Sequence, residues 1–143
     1  MSAADAADAA LDAELIAKAI AARGVAYAPY SRFTVGAAIR ASGATFIGAN
    51  VENASYGLCI CAERTAISAA VVAGHRTLER VAVSTGASPP SSPCGACRQV
   101  LLEFAPDPAA VRVIAVNDAG ERREWTLAEL IPAGFTGREL PTI

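Results

Sequence analysis

Cys59-Ile60-Cys61-Ala62-Glu63-Arg64 and Pro93-Cys94-Gly95-Ala96-Cys97-Arg98 together hold all four cysteines of the chain. Each segment opens a stretch with helical patterning. Between them lies enough sequence for the rest of one helix and one strand, so a single crossover brings two helix starts to one point. Three or four thiolates meeting there would hold a metal ion, and Glu63, two residues past Cys61, would stand beside it. In a reducing compartment, cysteines at such spacings are more often metal ligands or catalytic groups than disulfides.

Outward from this pair of segments the chain reads as alternating elements. Upstream, Leu11, Leu15, Ile16, Ala19 and Ile20 recur at helical spacing, predicting an amphipathic helix from about Ala9 to Arg23 with Gly24 as its stop. The first ten residues, rich in Ala and Asp, read as a disordered tail, leaving 11–143 as a single domain. Phe33 to Arg40 and Thr45 to Gly48 are strand-like about the Ser42-Gly43 turn signal and predict a hairpin. Cys61 to Ala73 is a helix rich in small residues, ended by Gly74. Downstream, Leu78 to Thr85 is a buried strand, Gly95 to Phe104 a helix, and Val111 to Asn117 a third buried strand. Asp118-Ala119-Gly120 is a tight turn, so Arg122 to Trp125 returns antiparallel. Thr126-Leu127-Ala128-Glu129 matches a capping box opening a short last helix. The order α-β-β-α-β-α-β-β-α predicts a three-layer α/β/α domain around a five-stranded mixed sheet.

Composition narrows the function. With 143 residues and a formal net charge of −2, the chain fits one domain and has no field to gather polyanions, which argues against nucleic acid. No apolar run approaches the roughly 20 residues that span a bilayer, so no membrane partner is expected. Asp5 and Asp8, with no basic residue near them, do not make a secretory signal, and the expected location is the cytoplasm.

The chemistry follows from the donor set. Hydrolytic zinc keeps one of four tetrahedral positions for water. Cys94 and Cys97, three apart, share one helix face, and Cys61 supplies a third thiolate. Three thiolates leave Zn²⁺ at a net −1, which opposes ionising the water. Two helix N-termini offset part of that charge, and Arg64 and Arg98 are placed to hydrogen-bond ligand sulfurs. Glu63 cannot share a helix face with Cys61, since two residues rotate about 200°. From the first turn it can still lean over the open position as a proton carrier. The residues alone leave other readings open: a closed four-cysteine knot with Cys59, a disulfide or redox role for Cys94 and Cys97, and turn-forming roles for Asn50, Glu52 and Asn53. By default Phe33 and Phe135 are core residues and His75 a surface residue without function.

Four separated motifs agree in order and spacing with one family. They are Tyr27-Ala28-Pro29-Tyr30-Ser31-Arg32-Phe33, Gly48 to Tyr56, Cys61-Ala62-Glu63-Arg64-Thr65-Ala66, and Ser92-Pro93-Cys94-Gly95-Ala96-Cys97-Arg98-Gln99. From about Leu11 to Leu140 the chain resembles the small homotetrameric zinc-dependent cytidine deaminases, with the zinc signature in its three-cysteine form. The resemblance implies one zinc per chain on Cys61, Cys94 and Cys97, with Glu63 as proton shuttle. It implies that Asn50 and Glu52 bind the ribose hydroxyls and that the Ala62 N–H meets the pyrimidine carbonyl. Phe33 would pack on the base, Ala54 would lie in the substrate loop, and Tyr56 and Phe135 would belong to a site shared between subunits of a homotetramer. Cys59 would not be a ligand. The implied activity is hydrolytic deamination of cytidine and 2′-deoxycytidine in pyrimidine salvage. The competing functions are deamination of a modified nucleoside such as blasticidin S, editing of a polynucleotide, and a non-enzymatic zinc-stapled module.

Overall fold

The structure, a computed structural model, describes residues 1–142. Its elements follow the predicted order: α1 Ala3–Ala22, β1 Gly36–Ala41, β2 Ala44–Ala49, α2 Ala62–Val72, β3 Leu78–Ser84, α3 Gly95–Glu103, β4 Arg112–Val116, β5 Arg122–Thr126 and α4 Leu127–Leu130. The five strands form one mixed sheet in the order β2-β1-β3-β4-β5. Strands β3 and β4 are parallel; the β1–β2, β1–β3 and β4–β5 pairs are antiparallel. The crossover that makes β3 and β4 parallel runs through α3, and it carries the second cysteine segment to the sheet's C-terminal rim.

Strand alternation divides the core between the two faces of the sheet. Ile39, Val81, Val83 and Val113 point to the side of α2 and α3 and join Ile67, Leu101 and Leu127 in the larger cluster. Ala38 and Ala82 point the other way, against Leu15 and Ala19 of α1. On that second face the sheet turns polar. Asp12, 3% exposed, accepts from Arg80 at 2.7 Å, Arg112 at 2.7 Å and Arg122 at 3.0 Å. One buried carboxylate therefore ties α1 to three successive strands.

Three predicted boundaries move, the two element starts for local reasons. The first helix starts at Ala3 rather than about Ala9, so the expected disordered tail of residues 1–10 is mostly helix. Ser2 and Asp5 form a reciprocal capping box, which satisfies two N–H groups that would otherwise promote fraying. The helix ends at Ala22, and Gly24 lies in a following 3₁₀ turn rather than acting as its stop. The first strand starts at Gly36 rather than Phe33. The Asn50 side chain accepts from Val35 N at 2.8 Å and donates to Phe33 O at 2.8 Å, so an amide stands where the ladder would continue. The ends of α2 and α4 follow their signals: Gly74 has φ +88° after α2, and Thr126 and Glu129 form the predicted capping box. Gly48 of β2 lies directly beneath the first turn of α2, where a Cβ would overlap Ala62 O and Ala66 N.

Candidate metal centre and substrate cavity

Cys61 is the N-cap of α2 and Cys94 the N-cap of α3. Neither side chain caps its own helix, so both sulfurs are free to face each other and the first amides of each helix lack an intrahelical partner. Cys97 lies in the first turn of α3, fully buried. The Cys61 and Cys94 Sγ atoms are 3.8 Å apart, and the three sulfurs lie within 4.8 Å of one another. That triangle matches the reach of a tetrahedral ion with Zn–S distances of about 2.3 Å. All four cysteines are free thiols, so no Cys94–Cys97 disulfide is formed. Cys59 turns away, its Sγ 3.3 Å from Asn53 N and 3.7 Å from Asn53 O. No fourth sulfur closes the site, so the knot reading fails.

The thiols are electrostatically unequal. A hydrogen bond from Cys97, then one from Arg64, stabilises the Cys61 thiolate and brings its pKa down to about 5. The same Cys61–Cys97 bond, with burial, pushes the Cys97 thiol up. Two thiols sharing one proton are a poised ligand pair, because a cation binding there displaces that proton. Arg64 donates to Cys61 Sγ at 3.6 Å and to Cys59 O at 3.2 Å, the role its spacing predicts. Arg98 does not follow its prediction. It donates to Pro93 O at 2.7 Å, Leu130 O at 2.8 Å and Ser92 Oγ at 2.7 Å. Instead of touching a sulfur it braces the backbone that presents Cys94. The planar guanidinium reaches three acceptors on two elements, which spacing along one helix does not reveal.

Glu63 is 4% exposed, with Oε2 3.6 Å from Cys97 Sγ. Burial, then the nearby Cys61 charge, raises its pKa above the ordinary glutamate value. It is a carboxyl group placed beside a sulfur triangle, and the raised pKa makes its carboxylate a stronger base toward a proton on a neighbouring water.

The triangle opens onto a cavity of about 410 Å³ whose walls include Phe33, Asn50, Glu52, Glu63 and Cys94. Glu52 is fixed by the Tyr27–Phe33 segment: Oε1 accepts from Tyr30 N at 3.0 Å and Ser31 N at 3.1 Å, and Ser31 Oγ bonds Oε2. The Ser31 hydroxyl, then its amide, holds the Glu52 pKa below the usual value. Phe33 is 44% exposed and forms wall rather than core. Ala62 is buried at the start of α2. Of the predicted substrate contacts, Ala62, Ala54, Tyr56 and Phe135 do not line this cavity. Ala54 is exposed. Tyr56 packs edge-on against Tyr30, centroids 5.8 Å apart, over an adjoining hollow. Phe135, 57% exposed, touches α3 through its carbonyl, which accepts from Gln99 at 2.8 Å. Thr85, Ser91 and Ser92 complete the lining. Sequence reasoning misses these three because Thr85 reads only as the end of a buried strand, and Ser91 and Ser92 read as loop among prolines; the one usable signal is Ser92 next to Pro93-Cys94.

Comparison with known proteins agrees with this geometry. The profile described as the cytidine and deoxycytidylate deaminase zinc-binding region matches residues 10–116. A cytidine deaminase of Halalkalibacterium halodurans is 48% identical over 127 residues, covering 88% of this chain and 95% of that protein. A cytidine deaminase of Mycobacterium tuberculosis is 40% identical, covering 81% of this chain and 83% of that protein. The crystal structure of cytidine deaminase from Burkholderia pseudomallei superposes with a TM-score of 0.80 at 48% identity, covering 85% of this chain and 97% of that one. The three-layer fold, the open triangle of thiolates and these likenesses place the chain in one group: it belongs to the cytidine and deoxycytidylate deaminase zinc-binding family.

Proposed function

We propose that this protein is a zinc-dependent deaminase that hydrolyses cytidine and 2′-deoxycytidine to uridine and 2′-deoxyuridine with release of ammonia. The observation that carries the reading is Glu63, buried and 3.6 Å from a sulfur of a three-thiolate site that opens onto a cavity. Cys61, Cys94 and Cys97 would hold the ion, and bound zinc supplies a water acidified toward neutrality. The residues of the chain do the rest. Glu63 accepts a proton from the attacking water and gives it to N3 of the pyrimidine, which makes C4 the better electrophile. It then takes the remaining proton from the hydroxyl now bonded to C4 and delivers it to the exocyclic amine, so that the C4 carbonyl forms as ammonia leaves. The Ala62 amide, one of the unpaired N–H groups at the start of α2, meets the pyrimidine carbonyl. Phe33 covers the base. Asn50 and Glu52, whose side chains are fixed by the Tyr27–Val35 backbone, bind the ribose hydroxyls.

Tyr27, Tyr30, Tyr56, Leu58 and Ile60 are all more than 40% exposed, in the two segments that edge the cavity. An apolar surface of that kind marks an interaction site. It supports a homotetramer in which Tyr56 and Phe135 act at subunit boundaries, with Ala54 in the substrate loop. No helix of the described residues is long and apolar enough to cross a membrane, and reduced thiolate ligands fit a cytoplasmic enzyme of pyrimidine salvage.

The test is stoichiometric. The zinc-loaded protein should convert cytidine to equal amounts of uridine and ammonia, with one zinc per chain in the same sample. A panel containing blasticidin S and single-stranded RNA accompanies it. Turnover of either of these without turnover of cytidine overturns the assignment.

A further inference from the structure

The loop from Thr85 to Cys94 forms one wall of the cavity and ends on a ligand sulfur, yet its own backbone holds it weakly. Pro89, Pro90 and Pro93 have no N–H to donate. Arg98 braces its last residues at Ser92 and Pro93; the rest of its support comes from the β4–β5 turn. Asn117, 8% exposed, donates to Ala87 O at 3.0 Å and to Glu121 Oε1 at 2.8 Å. Its Oδ1 accepts from Ala119 N at 3.1 Å and Glu121 N at 3.0 Å. Both donors and both lone-pair directions of this amide are used. Glu121 Oε1 also accepts from Ser88 Oγ at 2.7 Å, and Arg123 reaches Pro90 O at 3.4 Å. The same turn is also tied to the segment that carries Phe33. Arg23 pairs with Asp118, and its Nε donates to Thr34 Oγ1 at 3.4 Å, one residue after Phe33.

We infer that Asn117, with Glu121, is a positioning residue for the reaction: the β4–β5 turn sets where Ser91, Ser92 and Cys94 stand relative to Cys61 and Glu63. Neither Asn117 nor Glu121 lines the cavity, so their effect passes through the loop. The clamp separates into two halves. Acceptance by Oδ1 builds the turn, and donation by Nδ2 holds the loop. Asn117→Asp keeps the first and loses the second, and it also sets a carboxylate against Glu121. Ser88→Ala removes only the outer bond to Glu121.

This inference rests on the deaminase reading, and the two fail separately. Wild-type enzyme that does not turn over cytidine defeats the deaminase reading, whereas the clamp stands or falls on its variants compared with an active wild type. In Asn117→Asp, KM for cytidine should rise about tenfold and zinc transfer to a chromogenic chelator should quicken about tenfold. Ser88→Ala should move both in the same direction by about two- to threefold. A purely structural role lowers the fraction of folded enzyme, so apparent kcat falls while KM and the zinc release rate of the surviving molecules stay put. That pattern, or wild-type values for both quantities in a folded variant, overturns the inference. If Asn117→Asp does not fold, Ser88→Ala decides it by the same two readouts.

Discussion

The two faces of the sheet are built from alternate residues of the same strands, yet they are held by different forces. On the α2–α3 face, Ile39, Val81, Val83 and Val113 meet Ile67 and Leu101 in a dry cluster. On the α1 face, four buried residues, Leu15, Ala19, Ala38 and Ala82, give way to Asp12 and its three arginines. The site lies on the rim of the first face, where close packing fixes the starts of α2 and α3 and thus the sulfur triangle. The ionic face carries no part of the cavity. Chemistry and anchoring are therefore separable by mutation.

The largest expected effect sharpens that separation. Glu63→Gln should lower kcat by at least ~10²–10⁴-fold, the range of general acid–base catalysis, with zinc content and Tm near wild type. Near-normal turnover with full zinc would remove the shuttle role. On the other face, Asp12→Ala leaves three arginines without their shared partner. Breaking a buried pair costs ~3–5 kcal/mol, and the solvent access of Arg112 and Arg122 places this one at the lower end. Urea unfolding should show that loss, while KM for cytidine stays at the wild-type value below the unfolding range. A shifted KM would show that the two faces are coupled. Arg64→Ala returns to the site. By losing a donor to Cys61 Sγ it should weaken zinc affinity ~10–100-fold, measured by competition with a chelator. The smallest effect is Ser2→Ala, which removes the α1 cap for ~0.5–2 kcal/mol and should appear as faster amide exchange in the first turn of α1 with no change in turnover.

One face is far more legible in the sequence than the other. The α2–α3 face carries its own signals: apolar strands, Gly74 as a helix stop, and cysteines whose spacing points to one ion. Every sulfur of the triangle and its carboxylate are readable because their partners are near in sequence or share a chemistry that nothing else in the chain needs. The α1 face is hidden. Asp12 is one of several acidic residues in an Ala-rich helix, and the arginines that bury it lie 68 to 110 positions away. Arg98 is misread for the same reason, since Leu130 O is distant in the chain. The start of α1 escapes because an Ala/Asp-rich composition looks like a tail unless the Ser2–Asp5 pair is recognised as a cap. The Asn117 clamp combines both difficulties: its turn is foreseeable, but not the loop it holds.

The contact between Gly48 and the first turn of α2 also limits how this enzyme can be altered. With no room there for even a methyl group, substitution of Gly48 would lever Cys61 away from its partners before it changed the shape of the binding chamber. Directed evolution toward bulkier bases is better aimed at a lining position such as Ser91, and libraries there should yield active variants where libraries at Gly48 return only inactive ones.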